Sequence, residues 1–310
     1  MRIGFGPVTS LPSWKWVGED TSKELSKHHE VVQYSSFQEV PPCDVLFVIK
    51  QMPSPVFVQA AHHYGMKVVY VPIDFFTTRN SVKMQGNELN KLDLILSHSA
   101  RLMPLFSRYA ETRYIDHNGK FFLDEMAPYK EDGYVLWIGG FQFVPYLLLY
   151  LSHHHIDEEI KILADYRNPA AIRCAETFAG LIRLPKMKIE GNSVNGYQLY
   201  DWSEELQKKM LQEAKAAIDI KGQDFHQMHK PPTKAQKFVC SGVPFAINEE
   251  SEAFVYFKDL GFNVCLPTDT DRWFSRDYWE ETATFGQSLR EDLSLESIGK
   301  KYNDYIEEIT

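Results

Sequence analysis

Lys230-Pro231-Pro232-Thr233-Lys234-Ala235-Gln236-Lys237-Phe238-Val239-Cys240-Ser241-Gly242-Val243-Pro244-Phe245-Ala246-Ile247 reads as a helix and a buried strand joined by one glycine. The two prolines stiffen the approach, and Thr233 is expected to cap a helix that begins near Lys234. Ala235, Phe238 and Val239 fall on one helical face, and Gly242 ends the helix. Val243–Ile247 carries no charge, as a strand covered on both faces requires. A helix feeding a buried strand is the repeating unit of a parallel α/β sheet. The start of this helix, with Lys230 and Lys234, offers an anion site through its dipole and its ammonium groups. On local grounds a solvated basic cap is an equally good reading.

The same alternation extends outward in both directions. Strands are expected at Arg2–Phe5, Glu30–Tyr34, Asp44–Ile49, Lys67–Val71, Leu92–Ser97 and Thr112–Ile115, with a helix Pro55–Tyr64 closed by Gly65. Asp124–Asp132 is polar and aperiodic and reads as a linker. The pattern then restarts with a strand Tyr134–Ile138, the turn Gly139-Gly140, a helix Pro145–Ser152, a strand Glu159–Ala164 and a helix Pro169–Leu181. Further strands are expected at Lys186–Glu190, Gln198–Tyr200, Ala216–Ile220, Val243–Ile247 and Asn263–Leu266, and an amphipathic helix at Leu293–Ile309. This predicts an α/β protein of two doubly wound, Rossmann-like domains facing a central cleft. Residues 1–123 form the first, 124–132 the linker, 133–285 the second, and 286–310 a C-terminal helix packing back on the first.

Composition bounds the function. The 310 residues carry a net charge of -9, with 44% hydrophobic and 24% charged side chains, which excludes a disordered chain. A pI near 5.7 argues against a general nucleic-acid binder. Cys43, Cys174, Cys240 and Cys265 are too dispersed for a disulfide framework or a zinc knuckle and read as reduced, mostly buried thiols. The N-terminus runs straight into a strand pattern, and Phe141–Leu151, the longest apolar stretch, is too short to span a bilayer. A cytoplasmic location is expected, with at most peripheral membrane contact.

The arrangement resembles the donor-binding half of GT-B glycosyltransferases of the retaining, family-4-like type, whose helix N-K-x-x-E-x-x-A-x-G-x-P leads into the next strand. Thr233, Lys234, Gly242 and Pro244 match that pattern. The strand ending at Gly139-Gly140, the segment Tyr197–Leu206 and the short strand Ala216–Ile220 follow in the family's order. The resemblance implies two Rossmann-like domains and a nucleotide-sugar donor, UDP-glucose by family frequency, with no metal and no bound cofactor. It assigns the diphosphate to Gly139, Gly140, Arg167, Lys230 and Lys234, with Lys234 also catalytic. Tyr200, Asp201 and Trp202 would hold the base. Two departures stand out: Lys237 replaces the glutamate that holds the ribose, and Phe141–Val144 lacks the Arg and Lys that often follow the glycine turn. A lysine has no lone pair to offer two ribose hydroxyls, so Glu249 or Glu250 is the substitute acceptor.

Other candidates come from position. Ser251, Glu252 and Ala253 start a helix and would offer backbone N–H groups to a diphosphate, although a plain cap at Ser251 reads equally well. In the first domain Gly6 and Ser10 lie in a small-residue turn after the first strand, and Lys50 and Asp74 each directly follow a buried strand. Asp74 stands where the family often keeps an acidic or histidine group near the acceptor, and is the second catalytic candidate, with a helix cap as the alternative. His117 is a hinge or acceptor candidate, and His226 and His229 are placed by Lys230. His153–His155 is an exposed helix tip rather than a metal site. The expected activity is transfer of a hexose from a nucleotide sugar to a saccharide or lipid-linked acceptor in polysaccharide biosynthesis. The alternatives are a non-catalytic nucleotide-sugar-binding protein on the same fold and a sugar-nucleotide epimerase.

Overall fold

Every residue of Val45–Ile49 is buried, as a strand with helices on both faces requires. The computed structural model describes residues 1–184 and 187–310. The chain divides into two compact units. Unit 1 comprises Met1–Gly119, Asp224–Pro231 and Glu291–Thr310, and unit 2 comprises Lys120–Gln223 and Pro232–Arg290.

Unit 1 is built on β1 (Arg2–Gly6), β2 (Glu30–Gln33), β3 (Val45–Ile49), β4 (Lys67–Val71), β5 (Leu94–Ser97) and β6 (Thr112–Tyr114), all parallel, in the order β2-β1-β3-β4-β5-β6. Alternate side chains of these strands feed two cores, one on each face. Phe5, Phe47 and Val69 pack with Leu25, Ile298, Tyr302 and Ile306 on one side. Leu46, Val48 and Tyr70 pack with Val58, Phe76 and Phe106 on the other. The C-terminal helix Leu295–Ile309 is therefore a structural part of unit 1, as its amphipathic pattern anticipates.

Unit 2 holds β7 (Val135–Ile138), β8 (Ile160–Ala164), β9 (Ile189–Glu190), β10 (Ser193–Val194), β11 (Tyr197–Asp201), β12 (Ala216–Asp219) and β13 (Phe245–Ile247), in the order β13-β12-β7-β8-β11-β10-β9. Pairing is parallel except at β10, which runs antiparallel to both its neighbours. Both sheets reverse direction of build, at β1/β3 in unit 1 and at β7/β12 in unit 2. In doubly wound sheets the carboxyl ends of strands at such switch points are where ligands bind.

Several expectations are corrected. Beyond the expected return of the C-terminal helix, Asp224–Pro231 also belongs to unit 1, and residues 286–290 belong to unit 2. The polar stretch 124–132 is pinned inside unit 2: Ala127 donates to the Ser241 carbonyl, and Trp279 Nε1 donates to the Ala127 carbonyl. No strand forms at Asn263–Leu266, where a single bridge joins Cys265 to Ala246. Pro267 follows and cannot extend a ladder. The tail is two helices, Arg276–Asp292 and Leu295–Ile309, with Ser294 capping the second through Ser297 N–H. The start of the strand expected at Lys186–Glu190 lies outside the described residues, and Ile189–Glu190 is β9.

Candidate functional site

β12 carries an acid into the middle of unit 2. Its residues Ala216–Ile218 are fully buried, and the strand ends at Asp219, which is also buried. A carboxylate cannot remain ionised there without partners. It has two: Lys221 Nζ lies 2.9 Å and Lys234 Nζ 2.9 Å from its oxygens. Burial alone would raise the Asp219 carboxyl, but the ammonium groups of Lys221 and Lys234 outweigh it and hold the group at about 2. Burial draws Lys234 down to about 7, with Lys221 adding repulsion and Asp219 opposing it. With Lys234 protonated, two ammonium groups face one carboxylate and leave one positive charge in excess.

The switch-point residues complete this site. Lys234 Nζ lies 4.3 Å from the centre of the Trp137 ring on β7, a cation–π geometry. The Trp137 indole N–H is buried with no hydrogen-bond partner. A Cβ at Gly139 would stand 2.7 Å from the Trp137 ring and 2.9 Å from Lys234 Nζ, so only glycine leaves room for the ammonium. Phe141 N–H, the amide next after the Gly139-Gly140 turn, donates to Asp165 at 2.7 Å.

One turn along the helix Thr233–Cys240 is Lys237. Its Nζ donates to Gln207 Oε1 at 3.3 Å and lies 5.3 Å from the centre of the Phe121 ring. Burial pushes this ammonium down to about 8. Gln207 is fully buried and locked, accepting from Trp202 Nε1 at 3.0 Å and donating to the Phe121 carbonyl at 3.1 Å. Phe121 itself adopts a left-handed backbone at φ 62°, a strained choice for an aromatic residue. Trp202 is 44% exposed, leaving a ring face available beside Asp201, whose carboxylate lies 3.8 Å from the exposed Arg167. Tyr200 faces Gln198 instead, through its hydroxyl.

Other residues of unit 2 depart from expectation. Thr233 is the first helical residue rather than the cap. Pro232 takes the cap position, since a proline ring presets the backbone and forfeits only an amide that the helix start leaves unused. The amides at 251–253 are largely committed: Ser251 N–H donates to the Asn248 carbonyl and Ala253 N–H to Ser251 Oγ, so Ser251 acts as a cap. Glu252 is buried. Glu250 is held by Gln223 Nε2 at 3.0 Å and Asn248 Nδ2 at 2.8 Å, and Asn248 in turn bonds the backbone of Lys221. The loops after β12 and β13 are thereby tied together.

Unit 1 gathers its polar residues at the carboxyl ends of β3, β4 and β5. Lys50 Nζ and Asp74 Oδ1 are 2.6 Å apart. Burial would raise the Asp74 carboxyl, but Lys50, Lys230 and His226 together hold it below its ordinary range. Lys230, expected among the diphosphate ligands, thus belongs to unit 1, separated from the helix of Lys234 by Pro231-Pro232. Lys50 and Ile73 both adopt left-handed backbones, at φ 63° and 52°. For a β-branched residue this is strained, and such strain gathers at functional sites. Behind them the rings of His98 and His117 stack with centroids 3.8 Å apart. His98 Nδ1 bonds the Ile115 carbonyl at 2.7 Å, while His98 Nε2 and His117 Nδ1 are buried without partners. Burial lowers His98 to about 4, and burial plus the neighbouring ring keeps His117 neutral too. Gly6 is required by packing, since a Cβ there would meet the Tyr34 carbonyl at 2.4 Å, and Ser10 is exposed. His229 is turned inward to the Phe225 carbonyl.

No family model and no curated relative matches the sequence. Solved structures do match over nearly the whole chain. Anabaena HepE in complex with UDP-glucose superposes with a TM-score of 0.64 at 11% identity, over 99% of this chain and 100% of that one. A glycosyltransferase from Rickettsia africae gives 0.59 at 11% identity, over 99% and 98%. The fold is GT-B. A UDP-forming α,α-trehalose-phosphate synthase from Burkholderia vietnamiensis matches with 0.56 at 10% identity, over 87% of this chain and 75% of that one.

Within this GT-B chain, sequence reasoning missed Asp219, Lys221 and His98. Asp219 had a signal: an acid ending the apolar run Ala216–Ile218 must be paired. His98 lies in a polar Ser-His-Ser turn directly after a buried strand, a position equivalent to those of Lys50 and Asp74. Among the described residues no group of three or more His, Cys, Asp or Glu side chains is placed to hold a metal ion. No described helix is long and apolar enough to cross a membrane.

Proposed function

We propose that this chain is a glycosyltransferase that moves a hexose from a nucleotide sugar to a saccharide acceptor, with UDP-glucose as the donor. The observation that carries the reading is the Lys221–Asp219–Lys234 triad at the switch point of unit 2, with its one surplus positive charge. Transfer breaks the anomeric C–O bond while a diphosphate departs, and the growing charge on that diphosphate must be met by fixed cations. Lys234 serves this role without a metal, and Asp219 fixes where its ammonium points. The exposed face of Trp202 stacks on the base. Lys50 and Asp74 in unit 1 bind and orient the acceptor, Asp74 as a charged acceptor of its hydroxyl proton. A GT-B neighbour crystallised with UDP-glucose supports the donor class. A lipid-linked saccharide acceptor fits the same chemistry.

A second reading has its own observation. Lys237, where a carboxylate would hold the ribose, favours a binding protein that does not transfer. Calorimetry against UDP, GDP and UDP-glucose, with Lys234→Ala alongside, tests the site. Micromolar binding of one nucleotide, weakened at least tenfold by the substitution, is expected. Sugar release or transfer from the bound donor separates an enzyme from a binding protein, and absence of any nucleotide binding would sink both.

A further inference from the structure

We propose that Lys237 is a phosphate-binding residue, forming with Lys234 a two-ammonium clamp along the first turns of the helix Thr233–Cys240. The identity of the ligand as a nucleotide sugar rests on the function proposed above; the anion chemistry of the clamp does not.

Positions 234 and 237 are three residues apart on one helix, so their side chains lie side by side. Lys234 is satisfied on one side by Asp219 and by the Trp137 ring. Lys237 meets only the Gln207 amide oxygen and the Phe121 ring, and among the described residues no carboxylate pairs with it. A half-buried ammonium without a counter-charge is an unfavourable arrangement in the unliganded protein. The surroundings nevertheless hold it in place. Gln207 is locked by Trp202 and the Phe121 carbonyl, and its oxygen points at Lys237.

Counting charge decides the role. Lys221 and Lys234 face the single carboxylate of Asp219, and Lys237, which bonds Gln207 instead, adds a third ammonium to the same helix, so the three lysines when protonated carry two positive charges beyond that carboxylate. The diphosphate of a nucleotide sugar carries two negative charges. Lys237 also supplies the second cation that Phe141–Val144 lacks. The two-hydroxyl ribose contact of a carboxylate is not available here, because an ammonium cannot accept from either hydroxyl and the Gln207 oxygen already accepts from Trp202 and Lys237.

The test is calorimetry of the full-length protein in phosphate-free buffer, with inorganic pyrophosphate and UDP as probes, for wild type, Lys237→Gln, Lys237→Arg and Lys237→Glu. Lys237→Gln is expected to weaken pyrophosphate and UDP by the same factor, about tenfold, since both lose one phosphate contact. Lys237→Arg keeps both affinities within about threefold, and Lys237→Glu abolishes pyrophosphate binding. Thermal unfolding is a second readout: without anion, Lys237→Gln melts at or above the wild-type temperature, because an unpaired charge has gone. That result also shows the variant is folded. Pyrophosphate affinity unchanged in Lys237→Gln overturns the clamp, as does UDP binding by Lys237→Glu at wild-type strength, which would mark a ribose position. No pyrophosphate binding to wild type overturns it as well. If pyrophosphate binds in a Lys237-dependent way but UDP binds no better, the clamp stands and the nucleotide reading fails.

Discussion

His98 is neutral because it is buried, with Nδ1–H committed to the Ile115 carbonyl and Nε2 left alone. Its protonation constant falls from 6.5 to about 4 on folding. The unfolded chain therefore binds more protons between those values, and stability is lost as pH falls from about 6.5 towards 4. The shift corresponds to about 3 kcal/mol in total, and the neighbouring His117 moves in the same direction. Urea midpoints are expected to drop between pH 7 and pH 5 in wild type, and less steeply in His98→Gln; parallel slopes would place the acid sensitivity elsewhere. Asp219 gives the opposite kind of test. Asp219→Asn removes the one counter-charge of two buried ammonium groups and is expected to cost about 3 kcal/mol, measured by urea unfolding. Added pyrophosphate should restore part of that loss. These residues were only half legible in the sequence. Lys50, Asp74 and Lys234 could be singled out as candidates because they follow buried strands or open a helix, positions that pattern alone locates. The pairing of Asp219 with Lys221 and Lys234 depends on side-chain directions at the end of β12, which no spacing rule supplies.

At the scale of elements the helix Thr233–Cys240 shows how closely packing is set. Gly286 on the helix Arg276–Asp292 lies against its C-terminal turn, and a Cβ there would stand 2.0 Å from the Val239 carbonyl oxygen. Backbone, unlike a flexible side chain, cannot step aside. Gly286→Ala is expected to destabilise the protein by about 3 kcal/mol and to shift the helix carrying Lys234 and Lys237. A lowered urea midpoint together with weaker pyrophosphate binding checks it, and an unchanged midpoint would mean the two helices separate freely. Most strands were legible, because burial on both faces writes an uninterrupted apolar run, and Pro169–Leu181 was legible from its start signals, whereas Arg276–Asp292, the longest helix, was not read. Failures came where local rules compete. Thr233 is a good cap, yet the preceding proline takes the position. Asn263–Leu266 has strand composition but only one residue of partnership.

At the scale of the whole molecule, an amphipathic pattern tells that a helix face is covered and not what covers it. The helix Leu295–Ile309 completes unit 1 from the far end of the sequence, as the expected packing on the first domain requires, whereas the short return of Asp224–Pro231 to unit 1 is what boundaries drawn in chain order miss. Ile298, Tyr302 and Ile306 are almost wholly buried and pack against Phe47 and the rest of one core face. Gly299 allows the approach, since a Cβ there would meet Glu24 Cγ at 2.4 Å. Each large apolar side chain buried contributes roughly 1.5–3 kcal/mol, so losing three removes on the order of 6 kcal/mol. That is comparable to the whole stability of an ordinary domain. Ending the chain at Asp292 should therefore leave unit 1 unfolded, with its β-sheet core open to protease. Limited proteolysis of the truncated chain is expected to cut within residues 1–119 under conditions where the full chain resists. Resistance equal to that of the full chain would show that the sheet of unit 1 holds without its last helix.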